Sequence, residues 1–192
     1  MPRREKINNH IGLTLIETLI AIAIAALICV LLASLYSAGI KTYAKAEATA
    51  ELNQNGRIIL ERISRDLRQS LKIVTNLPAD YSQPENLPQE IEFQDGHNQT
   101  VITYIRYYLA GTQINKQIRA YTFAANPGVY VYFDATDQNG KFPDVQILED
   151  RPIGDNVSDL QFWGGRLVNI NLVLSKNGQS ENLSTAVYGR NL

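Results

Sequence analysis

One carboxylate stands where a carboxylate is expensive. Glu17 is followed by 23 residues, 18–40, without a charge. In a lipid-like setting an acid costs roughly 2.5–3.5 kcal/mol at the centre and less near the edge, so Glu17 calls for a partner of opposite charge. The other residues that could do chemistry are sparse. The chain has two histidines, His10 near its start and His97 in a turn, and one cysteine, Cys29, inside the apolar run. A single cysteine forms no disulfide within the chain, and Cys29 reads as a small buried apolar residue. His97 and Cys29 are too far apart to make a Cys-His pair, and no Ser-His-Asp set can be built from these residues. Glu90 and Glu92 have strand spacing on a polar face and read as solvent-facing. There is no glycine-rich phosphate loop and no zinc-type spacing, so no enzyme is expected.

Two further clusters were weighed. Asp134-Ala-Thr-Asp137-Gln-Asn139-Gly140, with Asp144 beyond, has half of a calcium loop. Aligned on Gly140, Asp137 and Asn139 fall at the third and fifth ligand positions, but the first is Ala135 and no Glu closes the loop. A hairpin turn using Asn-Gly is the favoured reading, with calcium as the weaker one and no other cofactor expected. Arg106, Lys116 and Arg119 could be neighbours on adjacent strands, with Tyr104, Tyr107 and Tyr108 nearby. A net charge of −1 for the whole chain lacks the electrostatic footprint of a nucleic-acid binder, so no nucleic-acid partner is expected.

The element that must position Glu17 is a helix. Residues 18–40 as a helix reach ~35 Å, enough to cross a hydrocarbon core of ~30 Å. Arg3, Arg4 and Lys6 precede the run, so the positive-inside rule puts the body of the protein outside the cytoplasm. A secretory signal peptide would have a shorter apolar region, and Ser37-Ala38-Gly39 is a poor cleavage site. A lipoprotein-type site at Cys29 fails because Ile28 precedes it. Past Lys41 the pattern becomes amphipathic: Leu52, Gly56, Ile59, Ile63, Leu67 and Leu71 recur at three- and four-residue steps, with Leu60 and Val74 beside them. Gly56 on that stripe would let a strand approach closely. Arg57, Glu61, Arg62, Arg65, Asp66 and Arg68 read as a solvated face, with Glu61–Arg65 and Arg62–Asp66 as i,i+4 pairs.

Residues 76–89 hold Pro78, Pro84 and Pro88 and read as a loop. From residue 90 the chain reads as strands and turns, with candidate strands at 91–94, 100–109, 116–123, 129–135, 145–148, 157–163, 167–175 and 184–188. Strand follows strand without a helix between, so the sheet should be antiparallel and large enough to fold into two layers. The expectation is an α+β fold: a long N-terminal helix, membrane-spanning in its first half and amphipathic in its second, packed on a C-terminal antiparallel β-sheet domain. Its segments are a basic leader at 1–12, an apolar helix at 13–40, an amphipathic half at 41–75, the loop at 76–89 and the β domain at 90–192.

The residues Gly12, Leu13-Thr14-Leu15-Ile16 and Glu17 resemble the processing site of type IV prepilins and pseudopilins, with Leu13 where that family usually has Phe or Met. The resemblance implies cleavage by a prepilin peptidase between Gly12 and Leu13, N-methylation of Leu13, and a role for Glu17 in assembly, facing the N-terminal amine of a neighbouring subunit or its own. Residues 60–69, Leu-Glu-Arg-Ile-Ser-Arg-Asp-Leu-Arg-Gln, are similar to the second half of the helix in J-type minor pseudopilins and W-type minor pilins. Residues 157–162 and 168–172 are similar to their late strands, and Arg190-Asn191 to the ending common among W-type proteins. The resemblance implies a minor subunit of a type IV pilus or a type II secretion pseudopilus. Its partners would be other pilins or pseudopilins, through the N-terminal helix, and an inner-membrane assembly platform. Its place would be the bacterial inner membrane and then a filament. The competing expectation is a signal-anchored extracytoplasmic binding domain that never enters a filament and recognises a ligand through exposed tyrosines.

Overall fold

A computed structural model of the chain describes residues 14–97 and 101–189. A 55-residue helix, α1 (Leu15–Gln69), is followed by eight strands in two antiparallel sheets, so the α+β class holds. The chain divides into two compact units between Ala46 and Glu47. In the first, every described residue is exposed, and α1 there is long and apolar enough to cross a membrane.

The second unit holds the core. From Ala48 onward α1 buries one stripe, Leu52, Gly56, Ile59, Ile63 and Leu67, as the three- and four-residue spacing requires. The strands are β1 (Glu90–Gln94), β2 (Tyr104–Ala110), β3 (Gln113–Phe123), β4 (Asn126–Val131), β5 (Asp144–Gly154), β6 (Val157–Gly164), β7 (Leu167–Lys176) and β8 (Gln179–Tyr188). The five-stranded sheet runs β1-β2-β3, with β5 on the far edge of β3. Tyr121 is opposite both Val131 of β4 and Val145 of β5. A strand has two edges, so β4 takes the edge of β3 that β2 leaves free. The three-stranded sheet is β6-β7-β8. Alternate residues of both sheets, among them Phe93, Ile105, Phe162, Ile170 and Leu174, meet the α1 stripe in one hydrophobic cluster. Each such side chain removed from water contributes roughly 1.5–3 kcal/mol. Gly56 does what its place on the stripe suggested: a Cβ there would lie 2.8 Å from the side chains of Leu174 and Leu183.

Four expectations need correction. The amphipathic helix does not reach residue 75. Ser70 closes it through its amide and hydroxyl on the carbonyl of Leu67 (3.1 and 2.7 Å). The β-branched run Ile73-Val74-Thr75 then leaves the helix and bonds along β1, with the Val74 amide on Glu92 O at 2.8 Å and the Gln94 amide on Lys72 O at 2.8 Å. The strand expected at 145–148 continues to Gly154 through Pro152, which a sheet interior would reject and an edge strand accepts. The Asn139-Gly140 turn does not close a hairpin, because β4 and β5 lie on opposite edges of β3. The residues between them cross over the outer face of the sheet, where Phe133 packs on Tyr104 with ring centroids 6.0 Å apart. Fourth, Asp66 and Glu92, expected in solvent, are buried.

Candidate functional site

The first turn of α1 is built around Glu17. The Thr14 carbonyl accepts the Glu17 and Thr18 amides at 3.0 and 3.2 Å, and its hydroxyl accepts the Glu17 amide at 3.4 Å. Thr14 is therefore the N-cap and Glu17 the third helical residue, the spacing of a capping box. The Thr-x-x-Glu spacing is the sequence signal for this turn. It puts the carboxylate at the positive end of the helix dipole, exposed and free to meet a cation. Gly12 and Leu13, the expected cleavage pair, lie outside the described residues, as does the Arg190-Asn191 ending.

The apolar side chains around and beyond Glu17 stand uncovered in their unit, with Leu15, Val30 and Leu35 at 79%, 70% and 68% exposure. Cys29 is exposed in this unit together with its apolar neighbours. The hydroxyls in this stretch bond back to their own helix: Thr18 to Leu15 O at 2.8 Å, Ser34 to Leu31 O at 2.8 Å, Thr42 to Ala38 O at 3.0 Å. None of the three carries an unsatisfied donor into an apolar medium.

In the second unit the acids are not the solvated set expected. Asp66, on the supposed charged face of α1, is buried with 5% of its side chain exposed. Its Oδ2 accepts the Tyr107 hydroxyl at 2.6 Å and Lys116 Nζ at 2.5 Å, so it bonds to the sheet. Arg65, its sequence neighbour, approaches only to 3.9 Å. Glu92, expected in solvent, is buried on the outer sheet face, where Arg119 Nη1 (3.0 Å) and the Tyr121 hydroxyl (2.8 Å) hold it. Glu90 is exposed as expected and pairs with Arg106. Asp150 accepts Gln117 Nε2 at 2.7 Å and the Tyr108 hydroxyl at 2.8 Å. The three cations weighed for nucleic acid are thus each paired: Arg106 to Glu90, Lys116 to Asp66, Arg119 to Glu92. Tyr104 and Tyr107 are buried, so they offer no exposed ring to a ligand.

Burial and the adjacent Asp66 charge push the Tyr107 hydroxyl well above the usual tyrosine range. Burial, then the hydrogen bond to Glu92, does the same for Tyr121. Both stay protonated and act as donors. Asp134 is held below the usual carboxylate range by Lys72, 2.8 Å away.

Asp137 uses its carboxylate as a turn cap. Its Oδ1 accepts the amides of Asn139 and Lys141, both at 2.8 Å, and its carbonyl accepts Gly140 at 3.0 Å. Among the described residues, no three or more His, Cys, Asp or Glu side chains converge as a metal site would require. His97 bonds Asp95 Oδ1 at 2.5 Å in an exposed turn. No family model matches the chain, and no curated protein matches it.

Proposed function

We propose that this chain is a minor pilin or pseudopilin, a structural subunit that helps to initiate or cap a type IV pilus or a type II secretion pseudopilus. One observation carries the reading. A single unbroken helix is apolar and uncovered on all sides over its first half, then buries one stripe under antiparallel sheets over its second. A helix apolar all round needs lipid or other such helices around it, and its exchange of one for the other is the chemistry of filament growth. In this proposal the precursor sits in the bacterial inner membrane with its leader inside. A prepilin peptidase cuts between Gly12 and Leu13, and Leu13 is methylated. Glu17 then meets the new N-terminal amine of a neighbouring subunit, or its own. Removing one partner from an ion pair in an apolar bundle costs roughly 3–5 kcal/mol, enough to enforce register.

The test is the N-terminus of the protein recovered from membranes of cells that carry a prepilin peptidase. Mass spectrometry should find a chain that begins at methylated Leu13. A chain that begins at Met1 or Pro2 in such cells would reject the proposal in favour of a signal-anchored binding domain.

A further inference from the structure

Sheet edges are sites of unwanted pairing, and folds usually cover or distort them. Three edges here are managed. Residues 71–75 bond along β1. The 76–89 loop covers β6, whose Phe162 and Gly164 amides donate to Pro88 O at 3.1 Å and Pro78 O at 2.7 Å. The β5 edge carries Pro152 and register shifts against β3. The β8 edge has none of these devices. Its ten residues pair with β7 without a shift, contain no Pro, Lys or Arg, and among the described residues have β7 as their one strand partner.

The turn fixes which groups face outward. Asn177 and Gly178 have φ of 51° and 74°, as a two-residue type I′ hairpin requires. Lys176 and Gln179 then exchange the hydrogen bonds next to the turn, and odd-numbered residues of β8 bond inward. The amides and carbonyls of Asn182, Ser184 and Ala186 therefore point away from β7. Beside them lies an open cleft of about 620 Å³ between β8 and α1, walled on the helix side by Arg57, Arg65 and Arg68 with Glu61. Among the described residues, Arg57 and Arg68 make no ion pair.

We infer that β8 accepts an extended acidic segment of a partner protein as a fourth strand, with Arg57 and Arg68 pairing its carboxylates. Main-chain bonds to Asn182, Ser184 and Ala186 supply the pairing, and the arginine wall supplies the selectivity. A second copy of this chain is the wrong occupant, because two-fold pairing of β8 with itself would bring two such arginine walls together. The inference does not require entry into a filament.

The test places a photo-crosslinking amino acid at Ala186 of the full chain, in cells that make its natural partners, and maps the linked peptide. A linked segment of extended, Asp- or Glu-rich sequence is expected. Ser184→Pro removes an outward amide and leaves the inward bonds intact, and should cut the yield at least tenfold. Arg57→Glu with Arg68→Glu should do the same with the melting temperature unchanged, which covers the case in which the proline variant fails to fold. The inference is overturned by no cross-link, by a link to a second copy, by a linked basic or helical segment, or by full yield from the arginine pair variant.

Discussion

Lys116→Met tests the joint between α1 and the larger sheet. In the native protein Lys116 Nζ is 2.5 Å from Asp66 Oδ2, with side-chain exposures of 17% and 5%. Methionine keeps the stem and removes the charge. Asp66 would then be a buried carboxylate with the Tyr107 hydroxyl at 2.6 Å as its remaining strong donor. Breaking a buried pair from one side typically costs roughly 3–5 kcal/mol, against a usual domain stability of about 5–15 kcal/mol. Tyr107→Phe removes one hydrogen bond to a charged group and should cost less, roughly 1.5–3 kcal/mol. The double variant Asp66→Leu with Lys116→Met replaces both charges by apolar groups and should recover most of the loss. Stability can be read in urea from Trp163, the only tryptophan, which packs at a tilt against Tyr81 with centroids 4.8 Å apart. The full chain in a non-ionic detergent is the sample. If Lys116→Met unfolds within ~1 kcal/mol of the native protein, the pair is a solvated contact and the reasoning is wrong.

Three other outcomes are expected. The raised folded-state ionisation of Tyr107 and Tyr121 makes stability complete below about pH 10, the unfolded value, and lost above it, by up to ~1.4 kcal/mol per pH unit for each group. Denaturation midpoints from pH 8 to 12 should fall only past pH 10, and Tyr107→Phe should lessen the slope without abolishing it, because burial raises Tyr104 as well as Tyr121; a flat profile would contradict the burial argument. Gly56→Val should destabilise by roughly 1–3 kcal/mol in the same urea assay, since its branches would meet Leu174 and Leu183; unchanged stability would mean that the strands do not approach the helix so closely. Both Glu17→Gln and Glu17→Ala keep the backbone amide that bonds Thr14; the first loses only the charge and the second the whole polar side chain. Both should be cleaved normally, and both should enter filaments at least ~100-fold less, from the loss of an apolar-phase ion pair. Normal incorporation of the glutamine variant, by immunoblot of sheared filaments, would reject the register role of the charge.

Much of the fold was legible because hydrophobic period is a local property. The stripe at Leu52, Gly56, Ile59, Ile63 and Leu67 reads directly as a buried helix face, whereas the last strand, expected at 184–188, starts at Gln179 directly after the Asn177-Gly178 turn. The parts that were not legible depend on what arrives from elsewhere. The β-branched Ile73-Val74-Thr75 only weakly disfavours helix and does not by itself mark Gln69 as the last residue; the stop is fixed by β1, which offers Glu92 O and Gln94 O to residues 71–75. Nor does Asn139-Gly140 show whether its flanking strands pair with each other. That was decided by β3, whose 11 residues outrun β2 and leave an edge for β4.

The charged pairs were half legible, in a way that generalises. Asp66 lies three residues after Ile63 and seven after Ile59, which puts it on the buried stripe and not opposite it. Lys116 has the parity of Ile114 and Ala120, two residues with 0% exposure, and so faces the same core from β3. A buried acid needs a buried cation or several donors, or it is too costly to keep. One acid at a core position of a helix and one base at a core position of a strand therefore imply each other before any coordinates are known. Glu92 and Arg119 have no such signature, because both lie on the outward parity of their strands. Their burial is completed by neighbours on that face: Tyr121 donates to Glu92, and the crossover sets Phe133 against Tyr121, with ring centroids 6.4 Å apart. Periodicity can place a charge in a core, whereas a cover made by a distant loop leaves no mark on the residues that it covers.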